Sequence, residues 1–71
     1  MNKSRRKKIQ NIIRSLQNLI QDVLEEEQEV YENMPESLQS SENGIISEEA
    51  QESLESAVEA LEEAICYLEE V

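Results

Sequence analysis

Apolar residues recur three and four positions apart over two long stretches of this chain, and a polar segment separates them. In the first stretch Ile9, Leu16, Val23 and Val30 are seven apart. Ile12 and Leu19 fall between them at d positions, and Ile13 and Ile20 widen the stripe at e positions. That is the three-in-seven face of a bundle helix, broader than the seam of a two-stranded coil. It predicts a helix from about Ser4 to Asn33 (residues 4–33), stopped by Pro35, because the residue before a proline is pushed out of the α region. In the second stretch Ala50, Leu54, Ala57, Leu61, Ala64, Leu68 and Val71 alternate four and three apart, with Val58 and Ile65 at e positions. A helix over 47–70 follows, with Ser47 as its N-cap and Glu48 and Glu49 in its first turn. Leu at a with Ala at d lets a neighbouring helix come close.

Residues 34–46 carry turn signals at Pro35, Ser40-Ser41 and Asn43-Gly44, and Glu36 to Gln39 has the makings of one helical turn. Thirteen residues is long for a helix hairpin, where about 2–8 are usual, so the segment reads either as a functional loop or as a flexible connector. The fold class expected is all-α: an antiparallel helical hairpin, one domain over 1–71, assembling with itself into a homo-oligomeric bundle. The expected bundle core is Ile9, Ile12, Ile13, Leu16, Leu19, Ile20 and Val23 with Leu54, Ala57, Val58, Leu61, Ala64, Ile65 and Leu68.

Composition strengthens the case for oligomerisation. A chain of 71 residues buries only about 60 % of its unfolded surface, and small scaffolds with thin cores need a staple, a metal or a partner. There is one cysteine and no histidine, so neither a disulfide nor a histidine-bound metal is available. Association with copies of itself is what remains. The same absences argue against an enzyme. Without histidine there is no Ser-His or Cys-His nucleophile pair, and Gly44 alone cannot make a phosphate-binding loop. Nothing in the sequence separates the proton affinities of a carboxylate pair, so no catalytic residue, metal ligand or cofactor is expected.

Charge supplies the candidate chemistry. All six cations (Lys3, Arg5, Arg6, Lys7, Lys8 and Arg14) lie in the first fourteen residues. The first 24 residues carry +5 and the remaining 47 carry -16. An acidic body of this kind repels duplex DNA, so long nucleic acid is a poor partner. No stretch approaches the roughly 18 apolar residues of a membrane span. The acid-free, amphipathic first 21 residues overlap in pattern with transit peptides and membrane-surface helices. Because the apolar stripe continues past them as one helix, they read as structural and the chain as cytoplasmic.

The basic cluster has two readings. It neutralises the acidic end of the second helix, which an antiparallel hairpin brings alongside. Alternatively it overhangs the shorter second helix and forms an anion site where copies converge, with Lys3, Arg5, Arg6, Lys7, Lys8 and Arg14 on phosphates and Tyr67, or Tyr31, stacked on a base. The run Glu25-Glu26-Glu27 reads as a solvated face. The acids from Glu25 to Glu70 read as a solubilising surface or as a nucleic-acid mimic, and Cys66 reads as an inert surface thiol.

The start Met1-Asn2-Lys3-Ser4-Arg5-Arg6-Lys7-Lys8, the centre Tyr31-Glu32-Asn33-Met34-Pro35-Glu36-Ser37-Leu38-Gln39-Ser40-Ser41-Glu42 and the Leu-Glu-Glu-Ala helix together resemble short accessory proteins of phages and prophages of Gram-positive bacteria. The likeness spans nearly the whole chain and is most specific at the centre. It implies a viral accessory protein of the host-cell cytoplasm and names no activity. A small oligomer with cationic ends is also similar in kind to phage sponge proteins that sequester nucleotide immune signals. The function expected first is therefore a non-catalytic oligomer that sequesters a small phosphorylated ligand. Its rivals are an acidic inhibitor or DNA mimic acting on a host protein, and an assembly adaptor without ligand.

Overall fold

The computed structural model describes residues 1–71 as two long helices and one helical turn. Helix α1 spans Lys3–Glu32, α2 is the single turn Glu36–Gln39, and α3 spans Glu42–Glu69. The two long helices run antiparallel and pack along their length, making a rod of 54 × 15 × 11 Å. No helix is long and apolar enough to cross a membrane.

Local chemistry explains each boundary. Asn2 caps α1, its side-chain oxygen accepting from the Arg5 N–H at 2.9 Å. Asn33 closes α1 and Pro35 prevents its continuation. The Pro35 carbonyl then accepts from the N–H groups of Leu38 and Gln39, which makes α2. The Gln39 amide ties this turn back to α1 by donating to the Tyr31 carbonyl at 3.1 Å.

The connection differs from the loop expected over 34–46. Helix α3 begins at Glu42, ahead of the expected start at Ser47, and its N-cap residue is Ser41. Asn43 and Gly44 lie in its first turn, and Gly44 has no positive φ. The glycine is needed for closeness: a Cβ there would stand 2.0 Å from the Gln39 carbonyl oxygen. Ser47 caps nothing. It is buried inside α3 and its hydroxyl donates to Glu27 Oε1 of α1 at 2.7 Å.

The broad apolar stripe of α1 divides in two. The residues that face α3 are Gln10, Ile13, Gln17, Ile20, Leu24, Glu27 and Tyr31, all buried or half-buried. They meet Gly44, Ser47, Gln51, Leu54, Val58, Leu61, Ile65 and Leu68. Leu24 and Ile65 are the deepest apolar side chains, 4 % and 2 % exposed. Ile9, Ile12, Leu16, Leu19, Val23 and Val30 lie one residue before this seam, rotated about 100° from it, and remain exposed. Of the expected core, then, the hairpin itself uses Ile13 and Ile20 from α1, and it adds Leu24 and the polar Gln17.

Because the helices are antiparallel, residues one position before each seam fall on the same side of the rod. On α3 those are Ile46, Ala50, Ser53, Ala57, Ala60, Ala64 and Tyr67. One side of the hairpin is thus a ridge of large aliphatic residues beside a groove of small ones. The opposite side, one position after the seam, carries Asn11, Arg14, Asn18, Gln21 and Glu25 on α1. Beside them α3 presents Glu48, Glu52, Glu55, Glu59 and Glu62.

Candidate functional site

The basic end is built by the first two turns of α1, whose N-terminus lies beside the C-terminus of α3. The Met1 amine donates to the Val71 carbonyl at 3.1 Å, so the helices end level. With 30 residues in α1 and 28 in α3, the expected overhang of the basic end is absent. The extra turns of α3, from Glu42 to Glu48, remove it.

Lys3, Arg5, Lys7 and Lys8 are exposed and Arg6 is half-buried. None of the five reaches a carboxylate within ion-pair distance, even though Glu69 and Glu70 end the neighbouring helix. The single ion pair of the hairpin joins Arg14 to Glu62 at 2.7 Å. Arg14 thereby leaves the group of free cations, since it also donates to Gln17 Oε1 at 3.1 Å. Four consecutive cations, Arg5 to Lys8, therefore sit at a helix N-terminus, the end where the backbone dipole already favours an anion.

The two tyrosines separate. Tyr67 is 69 % exposed, lies one turn from the basic end and shares a side of the rod with Arg5. Tyr31 stands at the far end of α1, roughly 40 Å from Arg5 at 1.5 Å of rise per residue. Its hydroxyl donates to the Glu48 carboxylate, and that bond, followed by burial and the Glu48 charge, raises its pKa above the usual phenol value. Stacking on a ligand at the basic end falls to Tyr67 alone.

Gln17 is the polar centre of the seam, 7 % exposed and fully used. Its amide donates to the Val58 carbonyl at 3.2 Å and to Glu62 Oε2 at 3.1 Å. The Glu62 carboxyl is held below the usual carboxylate range first by this bond, then by the bond from Arg14. The heptad reading placed Leu16 on the face and left Gln17 and Ser47 outside it. The signal for Gln17 was available: Gln10, Gln17, Leu24 and Tyr31 are themselves seven apart, a second stripe one residue from the first.

No cleft or cavity indents the hairpin. No group of three or more acidic or thiol side chains is gathered to hold a metal ion. Cys66 is a free, exposed thiol. Comparison with protein families, curated proteins and solved structures finds no match to this chain.

Proposed function

We propose that the chain is a non-catalytic viral accessory protein of the host-cell cytoplasm. In this reading it works as a homo-oligomeric helical bundle and sequesters a small phosphorylated ligand, of the nucleotide class, at its basic helix ends. One observation carries the ligand: Arg5, Arg6, Lys7 and Lys8 remain without an acidic partner beside an acidic helix end. Neutralisation of α3 would have paired them. Unpaired, they are free to make charge-assisted hydrogen bonds to phosphate oxygens, with Arg5 and Arg6 able to bind in bidentate fashion and Tyr67 to stack on a base. The hairpin has no cleft deep enough to enclose a ligand, so in this reading the ligand is gripped between copies. The viral part rests on the phage-like start and the Tyr31 to Glu42 segment.

The test is calorimetry and thermal shift with mono-, di- and cyclic dinucleotides, using inorganic phosphate as the control. Binding by the native chain, weakened at least about tenfold (1.4 kcal/mol) in the Arg5→Ala, Arg6→Ala double variant, supports the reading. Equal behaviour of the two proteins across the panel refutes it.

One observation favours a second reading, an inhibitor that offers its acids to a basic groove on a host protein. Glu48, Glu52, Glu55, Glu59 and Glu62 line one side of α3, all of them exposed. That activity would survive the loss of Arg5 and Arg6 and fail when those glutamates become Gln.

A further inference from the structure

The geometry points to a second copy of this chain as the occupant of the ridged side of the hairpin, seated with its two-fold axis parallel to the helices. In that arrangement the α1 ridge of each copy lies in the α3 groove of the other. The inference deepens the oligomeric part of the reading above and does not depend on its ligand.

Three observations carry it. The first is area. A compact monomer of 8.2 kDa exposes about 4,500 Å² and this chain exposes 5379 Å². The excess matches the roughly 800 Å² that one partner contributes to a standard interface. The second is the division of faces. Ile12 is 69 % and Leu19 60 % exposed on one side of the rod, whereas the opposite side is mainly polar, carrying amides, carboxylates and Arg14, with Ile45 as its exposed aliphatic residue near the start of α3.

The third is register. Arg14 meets Glu62 and Gln17 meets Val58, so residues whose numbers add to about 76 share a height along the rod. A two-fold axis parallel to the helices preserves height. It therefore sets Ile12 against Ala64 of the second copy, Leu16 against Ala60, and Leu19 against Ala57. Large side chains meet small ones in every central layer, which lets neighbouring helices approach to the usual 8–10 Å. A two-fold axis across the helices would instead stack Leu on Leu along one edge and Ala on Ala along the other, giving a wedge. The parallel axis also brings Lys8 beside Glu63 and Glu70 of the second copy. Both basic ends come to the same end of the bundle, where Arg5 and Tyr67 of each copy face the other.

Sedimentation at micromolar concentration tests the partner, and cross-linking tests its orientation. The chain should sediment as a dimer. Leu19→Glu and Ala60→Glu, both at exposed positions off the hairpin seam, should each raise the dimer dissociation constant at least about tenfold while the helical circular dichroism persists. Leu19→Cys and Ala57→Cys proteins, each also carrying Cys66→Ser, are mixed and treated with a short bismaleimide. The expected product joins position 19 of one protein to position 57 of the other. Homodimers of each protein in place of that product overturn the parallel axis. A native chain that stays monomeric overturns the dimer. A monomer that still takes up nucleotide refutes this inference together with the oligomeric part of the proposed function and leaves the ligand standing, and a dimer that takes up none refutes the ligand alone.

Discussion

Gly44→Ala sets two physical effects against each other, and the structure gives the sign. In a helix alanine is favoured over glycine by about 1 kcal/mol, so the sequence alone predicts stabilisation. The added methyl, however, would stand 2.0 Å from the Gln39 carbonyl oxygen, 2.4 Å from its carbon and 2.7 Å from the Gln39 Cα. Optimal carbon contacts lie near 3.5–4.0 Å, so the α2 backbone must retreat by more than about 1 Å. All three obstacles are backbone atoms, which no rotamer change can move aside. Retreat pulls on the Gln39 amide, which anchors α2 to the Tyr31 carbonyl. Overpacking of this kind costs about 1–3 kcal/mol. The three backbone contacts, all at 2.7 Å or less, put the cost at the upper end of that range, so set against the helix gain the net expectation is a loss of about 2 kcal/mol, and for a chain of this size a fall in Tm of roughly 8–16 °C. Thermal and urea unfolding followed by circular dichroism, at one fixed protein concentration because association shifts Tm, measures it. A Tm equal to or above that of the native chain, with the amide protons of Leu38 and Gln39 still protected from exchange, would refute the reasoning.

Two further outcomes follow from the seam. The Glu62 carboxyl has its folded-state pKa depressed, first by Gln17 and then by Arg14. Its contribution to stability is therefore complete above the ordinary carboxylate value of about 4.3 and lost as pH falls through the folded value. Paired unfolding curves of the native chain and Glu62→Gln should show a difference at neutral pH that vanishes on acidification below that value; a constant difference sinks the assignment. Gln17→Leu replaces a satisfied buried amide with an apolar side chain of similar size, so Tm should hold or rise. What it gives up is a register pin, and the amide NMR spectrum should broaden or double. A sharp, single spectrum would show that Gln17 does not specify the pairing.

The number and type of the long helices and the approximate extent of α1 were readable in the sequence, because each depends on local signals: heptad spacing and the stop at Pro35. So was the excess of apolar residues over what one hairpin can cover. The rotation of each helix about its own axis was not. Ile9-Leu16-Val23-Val30 and Gln10-Gln17-Leu24-Tyr31 are both seven-residue stripes, one residue apart, and a single helix offers no reason to choose between them. Hydrophobicity favours the first. The hairpin selects the second because Gln17 finds Val58 and Glu62, Ser47 finds Glu27, and Leu24 is buried. The same long-range contacts decide the connection. Asn43-Gly44 reads as a turn by propensity, yet the close approach of α2 calls for a residue without a side chain inside a helix. The cations were legible as a cluster. Their freedom from acidic partners was decided only when α3 proved long enough to end level with α1 and still left Arg5 to Lys8 unpaired. Residue spacing sets which stripes a helix carries. Which stripe turns inward depends on the shape and polarity of the surface it meets, and that surface exists only once the chain has folded back.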